Sequence, residues 1–76
     1  MRACVSGGTY NGGIVVLVER KNGEECEVEE HANGQLTCRF EIGHVPPTLE
    51  ELLAIEVAAR EAIDSFDGAP AKSWHF

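Results

Sequence analysis

The chain has 76 residues, which is one domain with a core too small for comfortable stability unless a disulfide, a metal or a partner subunit helps. Thirteen acids against six bases give a formal net charge of −7. That balance argues against direct nucleic-acid contact, which needs a basic patch, and leaves plain solubility or attraction to basic proteins. The three cysteines, Cys4, Cys26 and Cys38, contain no Cys-x-x-Cys pair, so a disulfide framework and a zinc site are both disfavoured. Buried thiols in a reducing compartment are expected instead.

The opening stretch, Met1 to Gly8, lacks the apolar run of a signal peptide, and no later segment approaches the length needed to span a bilayer. A cytoplasmic protein without membrane contact is the expectation. Residues 2–10 read as an edge strand weakened by Ser6-Gly7-Gly8. Asn11-Gly12-Gly13 then turns the chain. This glycine-rich run lacks a following Gly-Lys-Ser/Thr, so it reads as turn chemistry and not as a phosphate-binding loop.

Three further strands follow over residues 14–21, 24–31 and 36–42, separated by Asn22-Gly23 and Asn33-Gly34. The side-chain pattern selects the register. A two-residue turn at Asn33-Gly34 pairs Val28 with Arg39 and sends the two apolar sets to opposite faces. A three-residue loop, Ala32-Asn33-Gly34, pairs Val28 with Cys38, Cys26 with Phe40 and, outside, Glu27 with Arg39. It satisfies packing and charge together. At the first turn, a three-residue loop puts Ile14, Val16 and Val18 inside, whereas a two-residue loop puts Val15 and Leu17 there. The former buries three β-branched residues and is preferred. Val15 and Leu17 are then left on the outer face without cover, and Glu30 falls at the end of the inner face.

A helix is expected over residues 49–66. Pro46-Pro47 keeps the chain extended before it, Thr48-Leu49-Glu50-Glu51 is a capping box, and Asp67-Gly68 and Pro70 mark the stop. Leu52, Ile55, Ala59, Ala62, Ile63 and Phe66 form one stripe at helical spacing, the natural lid of the sheet. Leu53 and Val57 point away from it among Glu50, Glu56, Arg60, Glu61 and Asp64. The tail, residues 67–76, holds Trp74 and Phe76, which either fold back on the core or anchor a partner.

The fold expected is a single α+β domain: a three- or four-stranded antiparallel β-meander with one C-terminal α-helix packed across one face. Chemistry is not signalled. His31, His44 and His75 have no metal-ligand spacing, and Cys26 and Cys38 point into the expected core. The acids alternate along strands and do not line a cleft. No catalytic residue, cofactor or metal is expected.

Glu25, Glu27 and Glu29 should project in one outer row beside Val15 and Leu17, an apolar centre with an acidic rim suited to docking on Lys and Arg of another protein. Partner-binding candidates are therefore Val15, Leu17, Glu25, Glu27, Glu29, Leu53, Val57 and Trp74. One alternative is a structural homodimer joined through Val15 and Leu17, or through Leu53 and Val57. A second is a small enzyme using a Cys or His.

The Asn-Gly meander, Val15 to Ile42, and the acidic helix, Leu49 to Phe66, together resemble the small acidic anti-CRISPR proteins carried by phages and mobile elements. The resemblance covers most of the chain and is architectural, without a residue motif. It implies inhibition by occupying a basic nucleic-acid-binding surface of an effector complex, led by Glu25, Glu27, Glu29 and the helix acids.

Overall fold

The computed structural model describes residues 1–8 and 12–66. Four strands, β1 (Arg2–Gly8), β2 (Ile14–Glu19), β3 (Glu25–Glu30) and β4 (Leu36–Arg39), form one antiparallel sheet in chain order. One helix, α1 (Leu49–Ser65), follows and packs mainly over β1 and β2. The expected α+β meander with a C-terminal lid is the fold observed. Trp74, His75 and Phe76, the Asp67-Gly68 stop signal and Asn11 lie outside the described residues.

Turn chemistry sets the register. At the first hairpin, Arg20 N–H donates to Glu24 O (2.8 Å) and Gly23 N–H donates to Arg20 O (2.9 Å). At the second, His31 N–H donates to Gln35 O (2.8 Å) and Gly34 N–H donates to His31 O (2.8 Å). Each loop is completed by its asparagine: Asn22 Oδ1 accepts from Glu24 N–H (2.9 Å), and Asn33 Oδ1 accepts from Gln35 N–H (3.0 Å). Gly23 at φ +90° and Gly34 at φ +89° occupy the left-handed region that a side chain resists. Both are three-residue loops, as the packing argument requires, so Val18 faces Cys26, Val16 faces Val28, Val28 faces Cys38 and Glu27 faces Arg39. A bulge between Val5 and Gly7 displaces Ser6, whose hydroxyl donates to Val15 O (3.3 Å).

The strands are shorter than the alternation suggests, most of all β4. A bend closed by His44 N–H donating to Glu41 O (3.1 Å), with Gly43 at φ +94°, follows directly. It ends the ladder at Arg39, so the expected pairing of Cys26 with Phe40 falls beyond the last paired residues. Ile42, expected on the inner face, is fully exposed. Its apolar phase matched the strand, but the chain had already turned away.

Val16, Val18, Cys26, Val28, Ile55 and Ala59 are buried. Ala3, Val5, Ile14, Leu36, Cys38, Phe40, Ala62 and Ile63 pack around them. Thr48 caps α1, its hydroxyl accepting from Glu51 N–H (3.1 Å). The lid stripe is inward as expected up to Ile63. Phe66 instead becomes the C-cap at Ile63 O and stays 39% exposed. Glu30, awkward at the inner face, meets Arg60 at 3.7 Å, and Arg60 also donates to Gly34 O (3.2 Å).

Candidate docking face

Because side chains alternate along a strand, the face of the sheet away from α1 carries Arg2 and Cys4 from β1, Val15, Leu17 and Glu19 from β2, Glu25, Glu27 and Glu29 from β3, and Thr37 and Arg39 from β4. Val15 and Leu17 are half-buried between their neighbours on β1 and β3. Leu17 stands opposite Cys4 on one side and Glu27 on the other, and Val15 stands opposite Glu29. Two open depressions flank Leu17. One of about 370 Å³ lies among Arg2, Cys4, Glu19 and Glu25, the other of about 450 Å³ among Glu27, Arg39 and Glu41.

The glutamates are aligned, but their charge is partly answered within the chain. Arg39 lies 3.0 Å from Glu29 and 3.4 Å from Glu27, and Arg2 lies 3.0 Å from Glu19. The hydrogen bond that Arg39 donates to Glu29 raises its pKa most, against the cost of burial, with the charge of Glu29 and the bond and charge of Glu27 adding to it. His31 closes the row, its ring 3.7 Å from Glu29 and 2.7 Å from Thr37 Oγ1. Among the described residues Glu25 carries no ion pair. Four acids and two arginines leave this face two charges negative.

The helix presents a second apolar line. Leu49, Leu53 and Val57, one turn apart, are 73%, 56% and 56% exposed. Glu50, Glu61 and Asp64 are exposed around them. Leu53 and Val57 are thus where sequence spacing placed them, on the side of α1 away from the sheet, and the structure does not bring them near Val15 and Leu17. Trp74 lies outside the described residues.

Sequence reasoning missed Arg20. It continues the inward parity of Ile14, Val16 and Val18, and it is 2% exposed. Its guanidinium grips Glu51 with two bonds (2.8 and 2.9 Å), donates to Glu24 (2.9 Å) and lies 5.2 Å from the centre of the Phe40 ring. The Glu51 bond raises the pKa of Arg20 and, reciprocally, lowers that of Glu51. Glu51 therefore ties the first turn of α1 to the sheet and does not reach back to its own cap. Glu24 also accepts from Val45 N–H (3.1 Å), which pins the segment between β4 and α1. The signal available in the sequence was strand parity with Glu24 four residues on.

Cys26 is buried and Cys38 half-buried, and desolvation raises both thiols, holding them protonated. Cys4 is exposed. His44 sits between Glu24 (3.9 Å) and Glu41 (3.8 Å), and its Nδ1 has no hydrogen-bond partner. Among the described residues no group of three or more His, Cys, Asp and Glu is arranged to hold a metal ion, and no helix is long and apolar enough to cross a membrane.

No protein-family model, curated protein or solved structure gives a significant match to this chain.

Proposed function

We propose that this chain is a non-catalytic protein-binding module that docks through the outer face of its sheet on a basic surface of another protein. One observation carries the reading. α1 covers the inner face, leaving Val15 and Leu17 half-buried on the outer one, in line with the aligned Glu25, Glu27 and Glu29. An apolar centre supplies the holding contact, and the acidic row orients the encounter. With a net charge of −7, the form of binding favoured is inhibition, the protein occupying a surface that its partner uses for nucleic acid. That is also what the anti-CRISPR resemblance implies.

The test is capture of host-cell proteins on the immobilised chain, identified by mass spectrometry. Supporting capture is salt-sensitive, is lost in the Glu25, Glu27, Glu29→Lys variant and in Leu17→Asp, and survives Leu53→Ser. Capture indifferent to the acidic row and to Leu17 rejects the outer face as the docking surface.

A further inference from the structure

Among the described residues β1 is an edge of the sheet, and the first hairpin fixes its backbone polarity. Arg20 exchanges its backbone groups with β3, through Glu24 O and Gly23 N–H. Antiparallel ladders alternate, so Val18 and Val16 also bond to β3, while Val15, Leu17 and Glu19 bond to β1. The Ser6 hydroxyl on Val15 O agrees. On β1 the partners of Leu17 and Glu19 are Cys4 and Arg2. Ala3 and Val5 therefore point their N–H and C=O groups out of the sheet.

Among the described residues this edge lacks the usual protections. Between Ala3 and Gly8 it carries no charge and no proline, and its bulge comes only after Val5. β4, the opposite edge, has four residues and ends in Arg39. A groove of about 490 Å³ also runs between β1 and the flank of α1, where small side chains, Ala58, Ala62 and Ser65, hold the helix surface back. Met1 and Phe66 line it and are 40% and 39% exposed.

We infer that β1 pairs antiparallel with β1 of a second copy of this chain, centred on Cys4, joining two sheets into one of eight strands with both helices on the same side. The register is self-complementary. Ala3 exchanges both backbone bonds with Val5 of the second copy, and Val5 with its Ala3. Both side chains stay on the inner face, where the groove and its small helix residues receive the second copy. Charge selects this occupant and this edge. In a chain of net charge −7, a twofold contact through the outer face or the helix line brings two net-negative surfaces together. Here Arg2 meets Ser6, and among the described residues Glu61 is the one acid lining the groove. A basic partner finds little on this edge to answer it. The two Cys4 residues fall in a non-hydrogen-bonded pair, with Cα atoms about 4.5 Å apart, inside the range a disulfide spans. The joined sheet also carries two glutamate rows on one face, five strand spacings or about 24 Å apart.

Sedimentation of the full chain over a micromolar to submillimolar series should show twice the 8.3 kDa monomer mass. Ala3→Pro removes only an outward N–H and should weaken the dimer about tenfold through two lost hydrogen bonds. Should that variant fail to fold, two further measurements stand. Diamide, reduced to its hydrazine as two thiols join, should trap a Cys4–Cys4 dimer that Cys4→Ser abolishes. Ala3 and Val5 amides should be protected from exchange in the dimer. A monomer throughout overturns the inference, whether those amides exchange freely or are protected by the chain's own residues 67–76. A dimer that is indifferent to Ala3→Pro and yields no Cys4 trap overturns it in favour of another face.

Discussion

Ile55 and Leu53 sit two residues apart on α1 and test which side of the helix is the lid. Ile55 is fully buried against Val16, Val18 and Val28, whereas Leu53 is 56% exposed. Ile55→Ala deletes three carbons. At about 0.8 kcal/mol each the transfer term is roughly 2.4 kcal/mol, and the cavity left behind brings the loss to about 2–5 kcal/mol. A chain of 76 residues has a total stability of only about 4–11 kcal/mol, so this change removes a large share of it. The melting temperature, followed by circular dichroism at the helix band, should fall by about 10–20 °C for the transfer term alone. Leu53→Ala deletes as many carbons but from a site less than half buried, and it opens no enclosed cavity. Its cost should stay within about 1 kcal/mol. Equal losses for the two variants, or a cost below about 1 kcal/mol at Ile55, would refute the seating of the lid on the β1–β2 half of the sheet.

Arg20 lowers the pKa of Glu51, so the stability this pair supplies is present above the unfolded carboxylate value and fades as pH falls through the folded one. The urea midpoint should therefore drop below about pH 4–5, and Glu51→Gln should flatten that acid limb; an unchanged limb counts against the pair. Burial raises Cys26 and Cys38, so their contribution holds below the ordinary thiol value and is lost as pH rises through the raised one. A thiol reagent in mild alkali should label Cys4 quickly and the other two only with unfolding, and three equal rates would contradict the assigned faces. Gly34→Ala forces a side chain to φ +89° and should cost about 1–2 kcal/mol, with Gly23→Ala costing much the same; a neutral result at either would mean the loop is not the three-residue form.

The register was readable because side chains repeat every two residues along a strand. Only one loop length at Asn33-Gly34 brings Val28 against Cys38 and Glu27 against Arg39 at once. The outer face followed from the same parity, and so did the exposure of Leu53 and Val57 from the helical period. Ile42 shows where that reasoning stops. Its phase is right for the inner face, but Gly43 admits a left-handed backbone and the bend it closes decides that no strand is there to carry it.

What the sequence determined alone was therefore local and periodic: the turns, the two faces and the cap at Thr48. The tertiary structure decided how charges were shared. Arg20 could have faced water with Glu24, and Glu29 could have stood free. Burial beneath α1 brought Glu51 to Arg20, and Arg39, expected opposite Glu27, also reached diagonally to Glu29. Strand parity can place an ion pair across one hairpin, but a pair between helix and sheet depends on where the helix comes to rest, and periodicity carries no information about that.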